Sequence, residues 1–248
     1  MKLQTFVFIN LLVSQGNYKL MFYNVLNYPI QEPANRIQYL QTILDDYRPD
    51  IFMICELNNE EGADNILNIM KEINDDYERA DFELNSSDNS IGNSNNFQNL
   101  IFFNSSKFTL EEQFIIPSIY RDFNHYRLKS TTNTEEIDSV FIEVLVGHLK
   151  ASSGETNEQL RLTMVNDLLD YVNTMPSDSN IVFGGDLNVY TFNEPAFLEL
   201  LDTSNNIVFA DPANRLGNWH NNSSFIDMFT QSTRTQSGLG GASGGFDD

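Results

Sequence analysis

Five polar residues close apolar runs in this sequence, and their types suit phosphate chemistry. Asn24 follows "LMFY", Glu56 follows "IFMIC", His148 follows "VLVG", and Asp186 and Asn188 follow "IVFGG". Strand ends meet open loops on a rigid base, so reactive groups gather there. One such residue is a chance strand end; four runs ending this way read as a constellation. Glu56 and an Asp or Asn pair offer oxygens to a hard cation such as Mg²⁺ or Mn²⁺ and leave positions for water and phosphate. Such a cation polarises a phosphoryl oxygen and stabilises developing charge. Asp186 is then placed to orient or deprotonate an attacking water, Asn188 to hold phosphate or water by its amide, and His148 to donate to a phosphate oxygen.

Each residue also has a plainer reading. Asp186 in "GGDLN" is a good turn residue. His148 alone is as easily a satisfied core or rim histidine, and Asn24 alone says little. Glu56 is harder to explain structurally, because a carboxylate at the end of an apolar strand needs a partner.

The elements that would carry these residues alternate in period. "KLMFYNVLNY" from Lys19 reads as a strand. Pro33 opens a helix with Ile37, Leu40, Leu44 and Tyr47 at helical spacing, and Pro49 ends it. "DIFMICEL" from Asp50 is a continuous apolar strand of the kind buried on both faces. Ala63, Ile66, Met70 and Ile73 mark a second helix, and Asn85 to Asn96 is a polar loop. "LIFFN", "FTLEEQFII" and "SVFIEVLVGHLK" read as strands; Tyr120 to Leu128 is ambiguous. Thr156 and Gln159 fit a capping box for a helix carrying Leu160, Met164, Leu168 and Val172. "NIVFGGDLN" is a further buried strand, "AFLELL" after Pro195 a short helix, and "SFIDMFTQST" from Ser223 a late strand. Strands interleaved with helices, plus hairpin-like pairs, give an α/β protein with a mixed sheet or two sheets.

Bulk properties narrow the chemistry. With 248 residues and a net charge of −21, the chain has ample length for a core but repels polyanions at long range. Binding to nucleic acid through a general basic surface is therefore disfavoured, while a phosphate substrate stays open if metal ions bring the charge locally. One cysteine, Cys55, excludes a disulfide or multi-thiolate zinc site within this chain. Residues 1–16, "MKLQTFVFINLLVSQG", have two readings: a secretory signal peptide, which implies export, or a first buried strand. No apolar run is long enough to span a membrane.

"YNVLNY", "PDIFMICELNN", "VGHLKASSGETNEQLR" and "IVFGGDLNVY", in this order and at these separations, resemble the endonuclease/exonuclease/phosphatase superfamily, the deoxyribonuclease-I-like fold. The resemblance runs from about Tyr18 to the chain end. It implies a single domain over residues 17–248, built as a four-layered α/β sandwich of two packed, mixed or mostly antiparallel sheets with helices outside. It implies phosphate-ester hydrolysis with Mg²⁺, or Mn²⁺ or Ca²⁺ in its place; separately, the expectation for the chain is a monomer. It puts Asn24 and Glu56 at the metal, His148 at the phosphate, and Asp186 and Asn188 beside the attacking water. "DPANRLGNWHNN" is similar to the linker before the family's penultimate strands.

The family goes on to an Arg-x-Asp strand and a Ser-Asp-His motif, and neither follows here. The carboxylate that partners a histidine in nuclease members is not evident near "NNFQNLIFF". The expectation is a domain incomplete at its C-terminus and inactive as given, with "GGASGGFDD" leading into the missing strand. The substrate readings are DNA or RNA, a phosphomonoester, an inositol phosphate or a phospholipid head group; a binding module without turnover is the alternative class. Lys150 and Arg161 either line the substrate groove or are solvated, and Tyr126 and Arg127 follow the same logic.

Overall fold

A computed structural model describes residues 9–13, 16–30, 36–85, 97–131, 140–220 and 222–225. Nine strands and four helices follow one another in chain order over those residues. They are β1 (Ile9–Val13), β2 (Gly16–Tyr28), α1 (Arg36–Tyr47), β3 (Ile51–Leu57), α2 (Glu60–Ile73), β4 (Tyr77–Arg79) and β5 (Gln98–Asn104). After them come β6 (Phe108–Ile116), β7 (Phe123–Ser130), β8 (Phe141–His148), α3 (Glu155–Val172), β9 (Ile181–Asp186) and α4 (Pro195–Leu200). One sheet has the order β1-β2-β3-β5-β4 and the other β6-β7-β8-β9.

Each sheet contains one parallel pair among antiparallel neighbours: β2 with β3, and β8 with β9. A parallel pair needs a crossover, and here α1 and α3 supply it. The consequence for function is direct. Parallel strands end on the same edge, so Asn24 and Glu56 lie where the regular register of one pair ends and His148 and Asp186 finish the other. His148 and Asp186 are register partners.

The apolar runs explain the layering. All seven residues of β3 are buried, as are all seven of β5. In β8, Ile142, Val144 and Val146 join the large core with Phe22, Met53, Leu100 and Phe102 of the opposing sheet. Leu145 turns the other way, to a second core with Met164, Leu168 and Val172 of α3 and Ala196 and Leu200 of α4. Side chains in a strand point alternately to opposite faces, so a continuous apolar run is what a strand between two layers requires. Leu40 and Leu44 of α1 and Ala63, Ile66 and Met70 of α2 cover the outer face of the first sheet. The result is helices, sheet, sheet, helices: the expected four-layered sandwich. By contrast, β6 is buried only at its ends, Phe108 and Ile116, and is partly or fully exposed between them, as an edge strand is.

Local signals account for some helix ends. Asn59 caps α2 by accepting a hydrogen bond from the Gly62 amide at 2.9 Å. The capping box expected at Thr156 and Gln159 does not form. The chain enters α3 through Gly154 at φ 102, a left-handed conformation that glycine tolerates, and no side chain caps the helix. Thr156 therefore lies inside the first turn. Ile9–Val13 pairs antiparallel with Gly16–Leu20 through β1, so the strand reading of the N-terminal stretch holds for those residues. The ambiguous Tyr120–Leu128 segment contains most of β7. Ser223–Phe225 is a 3₁₀ turn, not the start of a strand; the rest of the late strand and "GGASGGFDD" lie outside the described residues. Among the described residues no helix is long and apolar enough to cross a membrane.

Candidate active site

Polar residues toward the ends of the two parallel pairs meet where the sheets face each other. Asn24 is fully buried and its amide nitrogen donates to two carboxylates, Glu56 Oε1 at 2.8 Å and Asp186 Oδ2 at 3.0 Å. Its oxygen accepts from the Leu26 amide at 2.8 Å, which fixes the side chain against its own turn. His148 Nε2 lies 3.6 Å from Asp186 Oδ2 and 3.9 Å from Glu56 Oε1. The ring of Phe97 stacks on the His148 ring at 6.3 Å between centroids. One ligand atom from each of Glu56, His148 and Asp186 falls within 4.8 Å of the others, and all three residues are buried.

Two buried carboxylates sharing one amide donor are an unfavourable arrangement by themselves. Like charges repel more strongly where water is excluded, and a buried charge is costly without a partner. A divalent cation is what such a donor set suits: hard oxygens, one imidazole and a rigid base. Glu56, Asp186 and His148 thus fit a metal ion.

The backbone at the site is itself unusual. Glu56 has φ 60, Asn188 φ 51, Leu26 φ 48 and Asn27 φ 50. Left-handed backbone at non-glycine residues costs about 1–3 kcal/mol each and persists where surrounding contacts hold it. Here it falls at the strand ends that carry the polar groups and in the irregular stretch of β2 after Asn24.

Three buried arginines supply much of that holding, and sequence reasoning missed their role. Arg36, the first residue of α1, donates to the Val25 and Leu26 carbonyls at 2.8 and 2.9 Å. Arg121 donates to the Leu149 carbonyl at 3.0 Å and to that of His148 at 3.4 Å. Arg161 is completely buried and donates from Nε and Nη2 to Glu194 Oε2 at 2.8 and 2.6 Å, and from Nη1 to the Lys150 and Ser152 carbonyls. Glu194 in turn accepts from the Tyr190 amide at 2.7 Å. The irregular end of β2 and the loops after β8 and β9 are therefore each tied to a guanidinium. This corrects the groove or solvated reading of Arg161. Lys150 is half-buried, with its ammonium on the Ala151 carbonyl and over the Tyr120 ring. Burial, reinforced by Arg121 and Arg161, lowers its pKa.

Asn24, Glu56, His148 and Asp186 converge as their strand-end positions require. Asn188 lies beside them. Its backbone amide donates to Asp186 Oδ1 at 3.2 Å and its side-chain amide to the Leu149 carbonyl at 3.2 Å, joining the loops after β8 and β9. Tyr126 is buried between the sheets, away from solvent, while Arg127 pairs with Glu143 and lies over Phe141. Cys55, next to Glu56, is fully buried. Burial first, then the Asp186 and Glu56 charges, push its thiol pKa well up, so it is no nucleophile here.

No protein-family model matches the sequence, and no curated protein does. Solved structures do. The human Nocturnin catalytic domain with bound sulfate superposes at TM-score 0.56 and 18% identity, over 75% of this chain and 69% of that one. ANGEL2, a 2′,3′-cyclic phosphatase, gives 0.56 at 16% identity, over 74% of this chain but 56% of its own. An endonuclease/exonuclease/phosphatase from Bacteroides vulgatus gives 0.56 at 13% identity, over 75% and 70%. The chain thus has the endonuclease/exonuclease/phosphatase fold, with its buried polar cluster where the two parallel pairs end.

Proposed function

We propose that the protein is a metal-dependent phosphoric-ester hydrolase, a phosphodiesterase of the nuclease type. The observation that carries this reading is the Asn24 amide bridging Glu56 and Asp186 with His148 beside both. Glu56 would hold a divalent ion such as Mg²⁺ beside Asp186 and His148, and the ion would supply positive charge to a phosphoryl oxygen. Asn24 keeps both carboxylates in place by one amide. Asp186, held by Asn24 on one oxygen and by the Asn188 amide on the other, orients a water and accepts its proton. His148 offers its N–H to a phosphate oxygen, and Asn188 holds the neighbouring loop where that phosphate would sit.

A second reading keeps the site and changes the substrate to a small phosphate ester or cyclic phosphate. The net charge of −21 favours it, since a long polyanion is repelled outside the site. The cyclic phosphatase activity stated for ANGEL2 is compatible with it.

The test is hydrolysis of bis-p-nitrophenyl phosphate, p-nitrophenyl phosphate and plasmid DNA by the whole protein, in Mg²⁺ or EDTA. Diester turnover that disappears in EDTA and in Glu56→Ala supports the proposal. Turnover indifferent to either would sink it. Preference for the monoester would select the second reading.

A further inference from the structure

At the opposite end of the first sheet lies a cleft of about 370 Å³, a volume within the range of small-ligand sites. Its walls include Lys19, Arg48 and Lys107. This is a local inversion of charge, because the whole chain has 14 basic residues against 35 acidic ones. Asp50 is the acidic residue of the cleft, and its carboxylate is spent. Oδ1 accepts from Lys107 Nζ and Oδ2 from the Lys19 amide. Lys19 and Arg48 are left to dominate the local potential. Lys19 commits its ammonium to the Tyr47 carbonyl; Arg48 donates from Nε to the Asp45 carbonyl and pairs with the exposed Asp45 carboxylate, a surface ion pair of little strength.

The neutral groups lean the same way. Asn74 spends its side-chain oxygen on the Asp76 amide, and Asn104 spends its own on Ser106. Each amide nitrogen, a donor, is the end that remains for a ligand. Tyr77 donates its hydroxyl to the Pro49 carbonyl and offers the cleft no strong acceptor. The Asp50, Asn74 and Asn104 oxygens are thus engaged while donors are in surplus, and the walls carry three basic residues to one carboxylate. That is the hydrogen-bond inventory of an anion site.

We propose that this cleft binds a small doubly charged anion of the phosphate-monoester class, apart from the hydrolytic site. Lys19 stands five residues before Asn24 on β2, about 17 Å at roughly 3.3 Å per residue. The ligand is held by Lys19 and Arg48 at its charged end, with Asn74 and Asn104 donating below. The inference does not depend on the hydrolase reading.

The experiment is titration of the whole protein with inorganic phosphate and with adenosine 5′-monophosphate, in EDTA, followed by calorimetry and by backbone amide shifts. The expected result is saturable one-to-one binding, with shifts at Lys19, Arg48, Asn74 and Asn104 and the nucleotide bound more tightly than phosphate. Lys19→Gln with Arg48→Gln should weaken binding roughly tenfold or more. Both side chains lie at the surface, so the fold should persist, and Arg48→Lys should retain most of the affinity. Glu56→Gln should leave binding unchanged. Non-saturable binding, shifts centred on the loops after Asn24 and Asp186, or equal affinity in the double variant would each overturn the proposal.

Discussion

Replacing Gly185 by alanine tests whether the β8–β9 register builds the site. Gly185 faces Gly147 in the parallel pair, one position before His148 faces Asp186. A Cβ at Gly185 would lie 2.4 Å from the Gly147 carbonyl oxygen and 3.1 Å from its carbon, where ordinary contact begins at 3.4 Å. The obstacle is backbone, so no rotamer change relieves it, and the strands must part by roughly 1 Å. Overpacking of this kind costs about 1–3 kcal/mol. For a chain of this size that is a melting temperature lower by roughly 2–12 °C. A displacement of about 1 Å at a reacting centre can cost on the order of 10²-fold in rate. Two neighbours serve as controls. At Gly184 a Cβ would meet the flexible Met53 thioether, and at Gly154 it would meet nothing within 4 Å. Gly184→Ala should therefore be milder, and Gly154→Ala should show only the strain of its φ of 102. Melting by circular dichroism, Mn²⁺ affinity by calorimetry and diester turnover read the three variants. Gly185→Ala with melting and Mn²⁺ affinity both indistinguishable from wild type would refute the claim that this close approach sets the site.

Asn24→Ala should weaken Mn²⁺ binding about 10- to 100-fold by releasing both carboxylates, and Glu56→Gln should weaken it further; equal affinities in calorimetry would argue against a shared metal site. Mn²⁺ at about 100 times its dissociation constant should stabilise the protein by about 2.7 kcal/mol, seen as a raised urea midpoint, and Glu56→Gln should lose that gain. Arg161→Ala should destabilise by about 3–5 kcal/mol because it strands the buried Glu194 carboxylate, and the double variant with Glu194→Gln should cost less than the two singles added. The Cys55 thiol should resist Ellman's reagent in the native state and react fully in urea. Its raised pKa also sets a sign: the folded thiol keeps its proton where the unfolded one loses it. That contribution to stability is complete below about pH 8.5 and declines as pH rises from there toward the folded value.

What the sequence showed and what it hid follow from the range of the interactions involved. The runs before Glu56, His148 and Asp186 announce themselves because a strand between two layers is apolar at every position. A polar residue at the end of such a run is then conspicuous. The capping signal at Thr156 misled because the chain turns into α3 at Gly154 instead, a choice set by backbone conformation and not by composition. β4 was not read as a strand; it has only three residues and takes its definition from pairing with β5. The arginines were hidden for another reason. A guanidinium can be buried only when carbonyls or a carboxylate meet it, and those of Arg161 come partly from Glu194, 33 residues away. Nothing local to either residue distinguishes that strut from a solvated surface charge.

The site's assembly is the longest-range feature of all. Within each sheet, a parallel pair brings two strand ends together, and that much follows from a strand–helix–strand order. Neither unit says where its edge will lie against the other. That is decided by which face of each sheet is apolar, since Phe22 and Met53 on one must meet Val144, Val146 and Val182 on the other. The Asn24–Asp186 hydrogen bond spans 162 residues and crosses that interface. The polar cluster is thus a by-product of two apolar faces finding each other, and its precision is inherited from their packing. A core substitution at Met53, two residues before Cys55 and three before Glu56, should accordingly disturb Mn²⁺ affinity although it touches no ligand. Met53→Ala is expected to cost about 2–5 kcal/mol in stability and to weaken Mn²⁺ binding more than an equally destabilising change such as Leu168→Ala. Leu168 sits in the other core, behind the second sheet. Equal losses of affinity in the two variants would mean that global stability, and not the interface between the sheets, holds the site together.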